Sequence, residues 1–178
     1  RYAAKEINFG VLYGMGTYGL SWRAGISFAE AKEFIEKYFR EFSGVKEYID
    51  RTLAFTKQEG YSETLFGRRR YIPELTSSNF QVRSAAERMA VNHPIQGTAA
   101  DIMKMAMIEV DKKLSAFSSK VSAPKLLLQV HDELVVECHP DDVEAVGKLL
   151  TTTMESAVTL RVPVKAAVKV GRSWGMME

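Results

Sequence analysis

The sequence predicts an α+β fold: a helical first half, then a long helix kinked at Pro94 that leads into a small antiparallel sheet. Three observations predict it. Up to Gly60 the apolar residues recur at helical spacing. From Gln81 to Leu114 that spacing resumes, although Pro94 has no N–H for the helical ladder and should kink it. After Pro124, two short apolar runs, Leu126 to Val130 and Leu134 to Val136, enclose His131, Asp132 and Glu133, as buried strands joined by a tight polar turn would.

Taken in order, residues 1–13 read as a helix with Ile7, Val11 and Leu12 on one side, ended by Gly14, Gly16 and Gly19. Ser27 begins a second helix, because its hydroxyl can cap the first turn while Glu30, three residues on, reaches back. Ser43 opens a third, which turns Val45, Tyr48, Ile49 and Leu53 inward and stops near Gly60. Residues 61–72 form a short hairpin across Gly67 and Arg68. Beyond the long helix and the acidic hairpin, Pro140 suits a first helical residue ahead of Val143, Val146, Leu149, Leu150 and Met154. The partial alternation from Val164 to Val170 predicts a final strand.

With 46% hydrophobic and 26% charged residues, the 178-residue chain has the composition of a folded globular protein and not of a disordered one. A net charge of +2 means that affinity for nucleic acid has to come from clustered cations. The single cysteine, Cys138, excludes an internal disulfide and makes a reducing, cytoplasmic setting the default. No apolar run is long enough to span a bilayer, and no signal-peptide pattern opens the chain. Because it starts at Arg1 in the middle of a patterned segment, with no capping residue before it, a further upstream segment is expected.

Arg1, Lys5, Phe9 and Tyr13 follow one another at four-residue steps, along one slowly drifting stripe of the first helix. Two cations followed by two aromatic rings suit a nucleoside triphosphate laid along a helix: the guanidinium grips phosphate with a planar fork, the ammonium is a point charge, and a ring stacks on base or sugar. The plain alternative is an amphipathic helix with surface cations and buried rings. The string RYAAKEINFGVLYG, however, resembles motif B of the family A DNA polymerases in every residue type and spacing of that pattern. The resemblance implies that Arg1 and Lys5 bind the incoming dNTP, that Phe9 stacks on its sugar and base, and that Tyr13 sits beside the template base. Phenylalanine at position 9, where some relatives carry tyrosine, is similar to the form that discriminates against a missing 3′-hydroxyl. Gly14, Gly16 and Gly19 also spell GxGxxG, but a dinucleotide fingerprint needs a strand before it, and here a helix precedes it.

Asp132, between His131 and Glu133, would project from a rigid pair of strands and could hold a divalent ion through oxygen. A solvated turn is the simpler reading. A His-Asp metal phosphohydrolase is a further one, although the chain has only 3 histidines. LLLQVHDELVVE closely resembles motif C of the same polymerase family. By that resemblance Asp132 is a metal-binding catalytic carboxylate, Glu133 an accessory acid and His131 a contact near the primer terminus. Arg88, Asn92 and Gln96, again at four-residue steps, make a third stripe, which is either a wet helix face or a set of donors for phosphate, sugar and minor-groove acceptors. AERMAVNHPIQGTAAD resembles the family's long palm helix, where these positions contact DNA. Arg68, Arg69 and Arg70 in TLFGRRRYIP form the densest basic cluster, and similarity to a GRRR-type segment points to duplex phosphates without saying which arginine meets them.

The resemblance covers essentially the whole chain and implies a fingers subdomain over residues 1–80 and the C-terminal part of a palm subdomain over 81–178. The implied activity is template-directed DNA synthesis by two ions, with Mg2+ as cofactor, primer–template DNA and dNTP as partners, and no membrane. A cytoplasmic, nucleoid-associated location follows. No motif A is found, the DYSQIELR-like string whose aspartate supplies the other metal ligand. The missing carboxylate, the remaining palm and the thumb are therefore expected upstream, and the chain alone is expected to be inactive. A non-catalytic nucleic-acid-binding module derived from such a polymerase is the alternative. The connection from Ser118 to Lys125 is slightly longer than usual for the family and touches no motif residue.

Overall fold

The structure is a computed structural model that describes residues 2–119 and 121–177, with side chains from residue 7 onward. Helix α1, Tyr2–Leu12, closes with the Tyr13 N–H donating to the Phe9 carbonyl at 2.9 Å, and Gly14 at φ 88° then turns the chain through the left-handed region. The three glycines do not simply end this helix. A short helix α2, Thr17–Ala24, begins after Gly16 and contains Gly19. Its side chain Leu20 is buried, and that core contact outweighs the roughly 1 kcal/mol by which one glycine disfavours a helix.

Helix α3, Phe28–Glu41, starts as expected from a capping box: the Glu30 N–H donates to Ser27 Oγ at 3.2 Å, and the Ser27 N–H donates to the Glu30 carboxylate at 2.8 Å. Helix α4, Ser43–Glu59, ends at Gly60. Strands β1, Tyr61–Glu63, and β2, Arg69–Tyr71, then pair antiparallel with Tyr61 opposite Tyr71, Ser62 opposite Arg70 and Glu63 opposite Arg69. Because side chains alternate across a strand, Ser62 and Arg70 share one face, while Tyr61, Glu63, Arg69 and Tyr71 share the other.

Helix α5, Phe80–Ser115, runs through Pro94 without a break. The proline has no N–H for the Ala90 carbonyl, and one residue further on the Tyr48 hydroxyl of α4 donates to the Val91 carbonyl at 2.9 Å. The first hairpin packs closely on this helix. Buried Ser62 Oγ lies 2.8 Å from His93 Nδ1, and a Cβ at Gly97 would come within 2.6 Å of Thr64 Cγ2. Only glycine allows that approach.

Two compact units divide at residues 97 and 98. The first has a core of Ile72, Leu75, Ala86 and Ala90, with Leu53 and Met89 against it. The second is built on Val110, Leu114 and Val146, the last from helix α6, Val143–Glu155, which a single turn at Pro140–Asp142 introduces. Strands β3, Lys125–Val130, and β4, Glu133–Glu137, pair antiparallel, with an irregularity between Leu126 and Leu128.

Two expectations about this unit need correction. Leu126, Leu134 and Val136 pack on the helices, but Leu127 and Leu128 stay 50% and 47% exposed, so β3 is not a buried strand. A two-stranded sheet consists only of edges, and among the described residues β3 has no second neighbour to cover it. Residues 164–170 form no strand either. The Ala166 N–H instead donates to the Glu155 carboxylate at 3.2 Å, with Lys165 Nζ 3.7 Å from the same carboxylate, so alternation was present without a ladder partner.

Candidate nucleotide and nucleic-acid site

Three groups of residues singled out in the sequence occupy defined places. Of the first stripe, Arg1 and the Lys5 side chain lie outside the described residues. Phe9 is 43% exposed and stacks with Tyr13, ring centroids 6.0 Å apart and planes within 12°. The four-residue step thus brings the two rings together in near-parallel planes, while Val11 anchors the opposite side at 1% exposure.

The second group reaches the turn that follows the first. A Cβ at Gly14 would stand 2.9 Å from Arg88 Cγ, so the arginine stem lies against the turn that ends α1. Its Nη1 donates to Ser84 Oγ at 2.9 Å one helical turn back, leaving other N–H groups of the guanidinium for a ligand. Gln96 is exposed. Asn92 is half-buried, and its Oδ1 is shielded from solvent with no hydrogen-bond partner among the described residues. An amide oxygen left so is costly unless a donor arrives from outside.

Among the three arginines of the first hairpin the structure draws a distinction that the sequence does not. Arg69 is already engaged: its Nε donates to the Glu63 carboxylate at 2.8 Å and its guanidinium lies 4.4 Å from the Tyr61 ring centroid. The bond to Glu63 raises its pKa further above the ordinary arginine value. Arg70 is on the other face with Ser62, the face turned to His93 of α5, and it is exposed.

In the second unit, β3 and β4 are joined by His131 and Asp132 alone, since Val130 pairs directly with Glu133. His131 takes φ 53°, the one non-glycine residue with positive φ among those described. Gln129 Nε2 donates to its carbonyl at 2.6 Å and braces the turn. His131, Asp132 and Glu133 are all exposed. The carboxylate of Asp132 stands exposed at the tip with no partner among the described residues, and Glu133 is next in line. Among the described residues no three His, Cys, Asp or Glu side chains come close enough together to hold a metal ion. The tip offers oxygen donors suited to a hard cation such as magnesium, but only part of a set. Beside it, a groove is lined by Ala100, Met103, Lys104 and Met107 of α5 and by Gln129 and His131. The sequence reading passed over Lys104, although residues 100, 103, 104 and 107 have the spacing of one helix face.

The family model for DNA polymerase family A matches residues 1–176. The chain belongs to DNA polymerase family A. Over 174 residues it is 51% identical to DNA polymerase I of Bacillus caldotenax, a match that takes in 98% of this chain and 20% of that protein. It is also 51% identical, over 174 residues, to the thermostable DNA polymerase I of Thermus filiformis, again across 98% of this chain and 20% of the relative. A solved structure of the POL domain of Pol1 from M. smegmatis, in complex with DNA primer-template and dNTP, is similar with a TM-score of 0.91 and 44% identity, covering 97% of this chain and 30% of that one. This family A chain thus spans about a fifth of the length of the DNA polymerases I it matches. No helix among the described residues is long and apolar enough to cross a membrane.

Proposed function

We propose that the chain is the nucleotide-selecting and metal-holding portion of a template-directed DNA polymerase, which joins a dNMP to a primer 3′-hydroxyl and releases pyrophosphate. The observation that carries the reading is the free Asp132 carboxylate on a braced two-residue turn, inside a motif C string in a family A chain. Residues 1–80 act as fingers and 81–178 as part of the palm. Arg1 and Lys5 grip the triphosphate, Phe9 lies on its sugar and base, and Tyr13 flanks the template base. The stacked rings support this, as side chains already ordered against each other lose little freedom on binding.

Asp132 would hold magnesium together with an upstream carboxylate, Glu133 serving as an accessory acid. When bound, the ions lower the pKa of the attacking hydroxyl and neutralise the triphosphate. Glu133 is not read as a replacement for the upstream ligand, because it opens β4 directly after the turn residue Asp132 and two adjacent carboxylates there do not bracket both ions by themselves. Single-nucleotide extension by the intact polymerase should therefore follow the templating base, while residues 1–178 alone stay at background with magnesium or manganese. Primer extension by the isolated chain that Asp132→Ala abolishes would overturn the half-site. An intact protein that binds primer–template but never extends it would favour the non-catalytic binding module.

Arg88, Asn92, Gln96 and Arg70 are read as contacts to primer–template DNA, with His131 near the primer terminus. Minor-groove acceptors occur on every base pair, so alanine at 88, 92 or 96 should weaken binding or slow extension alike on templates of different sequence. Arg70→Ala should lower the salt dependence of DNA binding by about one unit of slope, whereas Arg69→Ala should leave it unchanged, because Arg69 is committed within the hairpin. Equilibrium binding over a salt series tests both; a defect confined to one template base, or a response at Arg69 in place of Arg70, would contradict the assignment.

A further inference from the structure

Beside the acidic hairpin tip is a groove whose chemistry is of another kind. Its lining is apolar at Ala100, Met103 and Met107 and polar at Lys104, Gln129 and His131. Lys104 is exposed and has no ion-pair or hydrogen-bonding partner among the described residues. Three other lysines of the unit are engaged, Lys112 with Glu109 at 2.7 Å, Lys113 with Thr153 Oγ1 at 3.1 Å and Lys165 with Glu155 at 3.7 Å, and none of them lines this groove. Apolar side chains beside one uncommitted ammonium and two polar groups match a sugar–phosphate strand, whose deoxyribose presents an apolar face and whose phosphate carries the charge.

We propose that Lys104 is a primer-strand phosphate contact, and that the groove between α5 and the β3–β4 hairpin seats the sugar–phosphate backbone just behind the primer 3′ end. The inference rests on the reading of Asp132 as the metal-holding carboxylate. His131 links the two places, since it both lines the groove and immediately precedes Asp132 in the turn. A strand whose 3′-hydroxyl is delivered to Asp132 has its preceding linkages beside His131, and Lys104 is the cation that the groove holds for them. The template strand would have no reason to end at this hairpin. Lys104 is a positioning residue in this account: it fixes the strand and takes no part in bond making.

The test is primer–template binding by the intact polymerase, measured by fluorescence anisotropy between 50 and 200 mM salt. Lys104→Ala should weaken binding about three- to tenfold at the low-salt end and reduce the salt slope by about one, while Lys104→Arg keeps both near the parent value. Lys104→Met, which retains most of the apolar stem, should behave like alanine; parent-like binding by the methionine variant would mean that packing and not charge matters, and overturns the proposal. Neutral methylphosphonate linkages placed one at a time should identify a single primer linkage that weakens the parent enzyme and has no further effect on Lys104→Ala. An unchanged slope, or coupling to a template linkage, overturns it as well. Asp132→Ala measured alongside separates the two readings: retained incorporation removes the underlying site assignment, whereas lost incorporation with an unchanged Lys104 slope removes only the role of Lys104.

Discussion

Asp132→Ala in the intact polymerase is expected to slow single-turnover incorporation by about three orders of magnitude, the equivalent of roughly 4 kcal/mol of lost charge stabilisation in the transition state. Primer–template binding should remain within a few-fold of the parent, because the side chain is exposed at a turn and supports no part of the core. That combination separates a catalytic carboxylate from a structural one. A solvated turn residue would give a loss of less than tenfold, and this outcome would remove Asp132 from the mechanism.

Lys5→Ala is expected to act on a different quantity. A charge-assisted contact to phosphate contributes about 1.5–3 kcal/mol, so the dNTP concentration for half-maximal incorporation should rise by one to two orders of magnitude, roughly. Incorporation at saturating dNTP measures the remainder of the effect. An unchanged dependence on nucleotide concentration would show that the stripe on α1 is an ordinary amphipathic face, leaving Phe9 and Tyr13 stacked on each other for packing alone.

What was legible in the sequence is what local chemistry dictates. The Ser27–Glu30 capping box, the stop at Gly60 and the tight turn at Asp132 all depend on neighbours within a few residues. The misreadings come from longer range. Helix α2 forms because Leu20 finds a buried place, which no local signal around Gly16 and Gly19 announces. The exposure of Leu127 and Leu128 and the unpaired course of residues 164–170 reflect strand partners, and an apolar run does not say how many neighbours it will have. Phe9, Tyr13, Arg88 and the hairpin triad were named from spacing together with family likeness. Lys104 was not, because one lysine on a wet helix face is ordinary until a second element forms a groove beside it.

The positive φ at His131 constrains which amino acids the hairpin accepts. Asparagine, aspartate and glycine enter that backbone region readily, while valine and isoleucine are strongly disfavoured there, so most substitutions at 131 alter the aim of the turn as well as the lost imidazole. Asp132 follows directly and inherits any change of direction. A library randomised at 131 would accordingly be sorted twice, first by backbone tolerance and then by chemistry, and asparagine is the replacement that isolates the second sieve from the first.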